Sequence, residues 1–147
     1  MPFVVERGGF LHSNKLEYNL VDHCNLSCRE CSHLSPYLRK HALPFGVFER
    51  DLRQVASVFR VQRFRFVGGE PLLNKNLLRF IATVRESAIA PKIEIASNGV
   101  LVPRAPDALF DAIDSLSLSI YPSARCTPEE MRTIEARCRA HDVPRRK

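Results

Sequence analysis

Hydrophobic positions recur along this chain with two alternating periods. Residues 16–21 alternate loosely, as a first strand does, and stop at Asp22-His23. Over 47–60, Phe48, Leu52, Val55 and Phe59 return at helical spacing, with Arg50, Arg53 and Gln54 off the stripe. Residues 63–67 then alternate strictly between Arg and an apolar side chain, the pattern of a strand with one buried face, and end at a double glycine. A second helix over 76–88 stacks Leu77, Ile81 and Val84, with Pro91 barring its extension. Ile93 and Ile95 alternate into Ser97-Asn98-Gly99, a third strand and its turn. A short helix over 106–113 leads to Leu116, Leu118 and Ile120, which alternate with serines as a fourth strand over 115–121. Thr127-Pro128-Glu129-Glu130 carries a capping threonine, a first-turn proline and a glutamate placed for a capping box, so a helix runs from there to about 141.

Upstream, two apolar patches flank Gly8-Gly9 and predict a short hairpin within 3–15. The order that results is α/β: four strand-helix units, hence a parallel sheet with right-handed crossovers and its functional loops at the carboxyl ends of the strands. One domain accounts for 1–147.

Composition narrows the function classes. No apolar run approaches the roughly 20 residues of a membrane span, and the start lacks a basic leader, so the expectation is a cytoplasmic protein without membrane contact. The formal charge is +6, but arginines are scattered among acids instead of forming a stripe, which points first to a solvated basic surface, with an anionic substrate or acidic partner next and nucleic acid last. Five cysteines, three of them in one loop, argue against a disulfide framework and for reduced thiols.

Chemistry concentrates between the first strand and Pro44. Cys24, Cys28 and Cys31 are spaced CxxxCxxC with no fourth cysteine nearby, a set that can ligate three irons of a four-iron, four-sulfur cluster and leave one iron open. A zinc site completed by His23 or His33 is the competing reading, and a plain reactive-thiol group a third. After the second strand comes Gly68-Gly69-Glu70-Pro71, either a ligand-approaching loop or an ordinary strand-to-helix turn. Ser97, Asn98 and Ser119 are neutral hydrogen-bonding groups at the ends of the third and fourth strands. Cys138 shares a helical stripe with Met131 and Ile134 and reads as core. Cys126 follows the fourth strand at the cluster's end of the sheet, either as an auxiliary ligand or hydrogen donor or as a loop thiol.

The cysteine triplet together with Gly-Gly-Glu-Pro resembles the signatures of the radical S-adenosylmethionine (radical SAM) superfamily. The resemblance implies a partial (β/α) barrel, of which this chain would be the amino-terminal portion of the catalytic core. It implies a 4Fe-4S cluster on Cys24, Cys28 and Cys31, and S-adenosylmethionine as second cofactor at Gly68, Gly69, Glu70 and Pro71, with Ser97, Asn98 and Ser119 contributing. An external low-potential electron donor would drive cleavage to a 5'-deoxyadenosyl radical that abstracts hydrogen from a substrate these residues do not identify. A non-catalytic iron-sulfur or zinc module, or a truncated inactive relative, is the alternative. Two features depart from the pattern. Glu30 stands where the family has an aromatic, and the four units fall short of the family's six.

Overall fold

The computed structural model describes residues 4–5, 9–120 and 126–146. Its strands are β1 (Val4–Val5), β2 (Leu11–Asn19), β3 (Phe59–Val67), β4 (Lys92–Ser97), β5 (Ser115–Leu118) and β6 (Arg145–Arg146). The helices are α1 (Phe45–Val58), α2 (Leu77–Ser87), α3 (Asp107–Ala112) and α4 (Pro128–Ala140). All six strands form one open sheet in chain order, with β1 antiparallel to β2 and every later pair parallel.

The expected α/β architecture is present with one unit more than the sequence pattern predicts. Arg145 and Arg146 pair with Leu116 and Ser117 as a fifth parallel strand. Two arginines carry no apolar alternation, so the pattern that identifies strands has nothing to detect there. The edge of β5 is therefore paired with β6 at Leu116 and Ser117. The hairpin expected near the start is present as the β1–β2 pair, but its second arm is the whole of the first parallel strand, which begins at Leu11 instead of near 16. Phe59 leaves the α1 stripe: the helix ends at Val58, and Phe59 opens β3, where its extended backbone continues the sheet. Likewise α2 ends at Ser87 with Ala88 in the left-handed region (φ 52°), before Pro91 can act. Tyr121, expected at the end of β5, lies outside the described residues.

One face of the sheet meets the helices. Phe64 and Phe66 of β3, Ile93 and Ile95 of β4 and Leu116 of β5 are 0–1% exposed and pack with Phe48, Phe80, Ile81, Phe110 and Ile134. Phe48 is the centre of an aromatic cluster, 4.8 Å from Phe80 and 5.0 Å from Tyr18 between ring centroids. The capping box forms as expected: Glu130 N–H donates to Thr127 Oγ1 at 3.1 Å and Thr127 N–H to Glu130 Oε2 at 2.8 Å. Ile134 and Cys138 of α4 are buried in the same core, as the stripe predicts.

The opposite face is polar. Lys15 Nζ lies 2.7 Å from Glu17 Oε1, which Arg65 also reaches at 2.9 Å. Arg65 in turn donates to Ser117 Oγ at 2.9 Å and sets its Nε 2.9 Å from Glu94 Oε1. Glu94, 3% exposed, is further approached by Arg63 at 3.5 Å and Arg146 at 3.7 Å, and Ser115 Oγ donates to it at 3.0 Å. The Nε atoms of Arg63 and Arg65 are buried without an aligned acceptor, so their attraction to Glu94 is Coulombic more than hydrogen-bonded. Among the described residues, no helix is long and apolar enough to cross a membrane.

Candidate functional site

Parallel strands deliver their loops to one end of the sheet, and three of those loops meet there. Leaving β2, the chain continues through buried Leu20 and Val21 into the cysteine loop. The loop is tied to the start of the 3-10 turn that follows β3: Gly69 N–H donates to Val21 O at 2.8 Å and Glu70 N–H to His23 O at 3.1 Å. This pairing explains both glycines. A Cβ on Gly69 would lie 2.0 Å from His23 O, and one on Gly68, whose φ is +150°, would lie 2.5 Å from Val21 O. The close approach that the double glycine permits is thus first an approach of chain to chain.

Glu70 is fully buried and joins the second loop to the third. Its carboxylate accepts from Ser97 Oγ at 3.0 and 3.1 Å, from Asn98 N–H at 2.9 Å and from Leu72 N–H at 3.2 Å. Burial pushes the carboxyl above its usual range, against the pull of these donors. Asn98 then reaches back to the first loop, its Nδ2 donating to Asn25 Oδ1 at 2.7 Å and to Cys24 Sγ at 3.4 Å. A chain of contacts, Glu70 to Ser97 and Asn98 to Cys24, locks all three loops.

Between them lies a cavity of about 280 Å³. Of the residues singled out from sequence, Cys24, Cys28, Cys31, Gly68, Gly69, Ser97, Asn98 and Ser119 line it. Glu70 and Pro71 do not: they sit behind the wall, and the Glu70 oxygens face protein donors. Ser97 and Asn98 border the cavity, yet their side-chain hydrogen bonds described above run into the protein frame.

Glu30 is exposed and away from the cavity, where Leu26 supplies an apolar wall instead. His33 lines the cavity, whereas His23 sets its Nδ1 3.2 Å from His41 O. Cys126 packs against the hydrophobic core and is not among the lining residues.

Sequence reasoning missed Glu17 and Arg65, which line the same cavity from the polar face. Their signal was available: charged residues at equal parity on successive strands, Glu17, Arg65 and Glu94, share one face.

The three thiols sit in different fields. Burial raises the Cys24 thiol above its ordinary value, with the Leu26 amide and Asn98 opposing. At Cys31 burial also pushes upward, but the backbone amides of Ser35, His33 and Leu34 and the Ser35 side chain outweigh it, and the thiol falls below its ordinary value. Leu34 adopts a left-handed φ of 56°, which turns this amide cluster around the sulfur. All five cysteines are free. Among the described residues, no three His, Cys, Asp or Glu side chains converge on a point as ligands of a single ion do. Three thiols spread around one cavity suit a polynuclear cluster, whose irons occupy separate corners, and the donor set is the sulfur-rich one such clusters take. The residues present therefore fit that group.

The chain is 31% identical over 132 residues to the GTP 3',8-cyclase of Heliobacterium modesticaldum (strain ATCC 51547 / Ice1), covering 87% of this chain and 39% of that protein. It is 30% identical over 113 residues to the molybdenum cofactor biosynthesis protein 1 of Dictyostelium discoideum, covering 74% of this chain and 18% of that one. A solved structure of hexahistidine-tagged anSMEcpe with bound AdoMet superposes with a TM-score of 0.64 at 18% identity, over 90% of this chain and 40% of that chain, a likeness of fold. The chain thus spans about two fifths of the length of the first of these relatives. A family model, that of the radical SAM superfamily, matches residues 18–137, well over half of the chain. This chain belongs to the radical SAM superfamily.

Proposed function

We propose that residues 1–147 form the amino-terminal part of a radical SAM catalytic core, with Cys24, Cys28 and Cys31 holding a 4Fe-4S cluster and S-adenosylmethionine lying in the adjoining cavity. The observation that carries this reading is the meeting of three free thiols, the Gly68-Gly69 backbone and the Ser97-Asn98 turn around one cavity at the ends of β2, β3 and β4. When bound, the cluster supplies the low-potential electron, taken from an external donor, that cleaves S-adenosylmethionine to methionine and a 5'-deoxyadenosyl radical.

The chain's own residues do the positioning. The amides around Cys31 favour its thiolate, and Asn98 orients Cys24. Gly68 and Gly69 offer backbone to the ammonium group of the cofactor, Ser119 a hydroxyl, and Leu26 an apolar surface. Glu70 acts through the loops it ties, as a positioning residue.

GTP, named in the cyclase relative above, is a candidate substrate; Arg65 reaches the same cavity from the polar face already paired with Glu17, which lines it too.

Anaerobic reconstitution with iron and sulfide tests the reading. The protein becomes brown with iron-sulfur absorption, and Cys24→Ala, Cys28→Ala or Cys31→Ala each abolishes it, while Cys126→Ala and Cys138→Ala leave it intact. With a strong reductant the reconstituted protein releases methionine and 5'-deoxyadenosine. A colourless protein that retains stoichiometric zinc through chelation would overturn the proposal in favour of a zinc module.

A further inference from the structure

The cysteine loop carries a surface that the cavity does not use. Of the seven large apolar side chains exposed among the described residues, three fall within five positions of it: Leu34 at 58%, Tyr37 at 81% and Leu38 at 47%. Exposed apolar residues scattered singly need no explanation, whereas a local group of them, with a tyrosine among it, has the composition of a surface that meets other protein. Arg39 and Lys40 follow directly, both exposed and neither in a salt bridge among the described residues. Residues 31–44 contain no Asp or Glu, and Glu30, the one acid of 23–30, has Arg29 beside it. Asp22 is brought alongside by the bond from its N–H to His41 O, but its carboxylate lies 3.3 Å from His41 Nδ1. The apolar group is therefore flanked by positive charge that the chain itself leaves uncompensated.

The same segment is bonded to a cysteine of the site. Leu34 N–H donates to Cys31 O at 3.0 Å and Tyr37 N–H to Leu34 O at 2.9 Å. Pro36 fixes the 3-10 turn Ser35–Tyr37, and Ser35, 5% exposed, anchors its inner side. The turn thus holds Cys31 through its backbone while Leu34, Tyr37 and Leu38 stand in solvent, a preorganised contact that costs little ordering on association.

We infer that this surface docks the electron donor: a small acidic protein with a low-potential one-electron centre, its apolar contact on Leu34, Tyr37 and Leu38 and its acidic rim against Arg39 and Lys40. The inference rests on the reading of Cys24, Cys28 and Cys31 as cluster ligands. A donor seated there reaches the cluster through Cys31 and its backbone, without entering the cavity assigned to S-adenosylmethionine. One electron leaves the donor, which is oxidised, and is taken up at the cluster site, which is reduced; no bond forms or breaks in that transfer and no proton moves. Charge complementarity at the rim speeds encounter, and a small apolar centre suits a partner that must leave after each electron.

A plant-type [2Fe–2S] ferredoxin and a flavodoxin, both acidic, are the probes, titrated by calorimetry into the anaerobically reconstituted protein. At least one binds with a micromolar Kd that weakens as salt rises, and basic cytochrome c does not bind. Arg39→Glu with Lys40→Glu weakens the donor at least about tenfold, and Tyr37→Ala weakens it with the salt dependence retained. These side chains are exposed, so both variants keep the iron-sulfur absorption and the dithionite-driven release of 5'-deoxyadenosine, while release driven by subsaturating donor falls by the same factor as binding. A colourless protein would remove the cluster reading and this inference with it. A brown protein that binds neither donor, or binds it unchanged in the variants, would remove this inference alone. Equal binding of cytochrome c would overturn the acidic class, and a dimer that Tyr37→Ala dissolves would assign the surface to a second copy of the chain.

Discussion

The two faces of the sheet are built from the same strands by the same alternation, yet they differ in what holds them together. On the helix side, β3, β4 and β5 present Phe64, Phe66, Ile93, Ile95 and Leu116 to a dry aromatic and aliphatic core. On the other, the intervening positions are Arg63, Arg65, Glu94, Ser115 and Ser117, joined across strands by ion contacts and hydroxyls. Parallel sheets are ordinarily buried and apolar on both faces. Here one face stays charged, and it opens into the cysteine-lined cavity through Glu17 and Arg65.

Breaking the apolar face produces the largest effect. Phe48→Ala removes a fully buried ring in contact with five aromatic neighbours and should lower unfolding free energy by about 3–5 kcal/mol in urea titrations.

The charged face should respond differently, by context more than by size. Glu94→Leu leaves Arg63 and Arg65 with no buried counter-charge and should cost about 3 kcal/mol. Adding Arg65→Leu to it should recover part of that loss, because two apolar residues replace a half-broken pair. A double-mutant cycle that shows simple additivity would mean that the network is solvated and carries little energy.

The smallest effect lies at the junction of the faces, in the pH dependence set by Glu70. Its carboxyl titrates above the ordinary 4.5 in the folded chain. The native state therefore holds that proton more tightly than the unfolded state, and stability falls as pH rises from about 4.5 through the folded value. Glu70→Gln should flatten this slope in urea midpoints measured across that window, and an unchanged slope would assign it to other groups.

The fold was legible where a period could be heard. The strands β3, β4 and β5 and the capping box of α4 follow directly from alternation and from Thr127-Pro128-Glu129-Glu130. What escaped lacked a period. Arg145 and Arg146 form a strand only because the edge of β5 is there to pair with, which is a tertiary cause. Phe59 fits the helical stripe as well as the strand, and sheet pairing with Leu11 decides between them.

At the site, residue types announced the thiols and the glycine pair, because few other arrangements need them. They could not say that Gly69 makes room for His23, or that Glu70 commits its oxygens to Ser97, Asn98 and Leu72. Those are facts of which loops meet, and the meeting is set by sheet order. The polar face shows the opposite failure: its arginines read as solvent-facing until the neighbouring strands bring Glu17 and Glu94 against them.

That sheet order has a consequence for how the chain acquires its shape. Because β1 to β6 lie side by side in the sequence in which they are synthesised, each new strand finds its partner already made, and no strand waits for a distant segment to be inserted between two others. The sheet can grow from its first edge as the chain leaves the ribosome, with Gly68-Gly69 closing over the cysteine loop once β3 has docked, before β4, β5 and α4 exist. The ligand loop is thus sheltered early, and the strands made after it extend the sheet on the side away from β1.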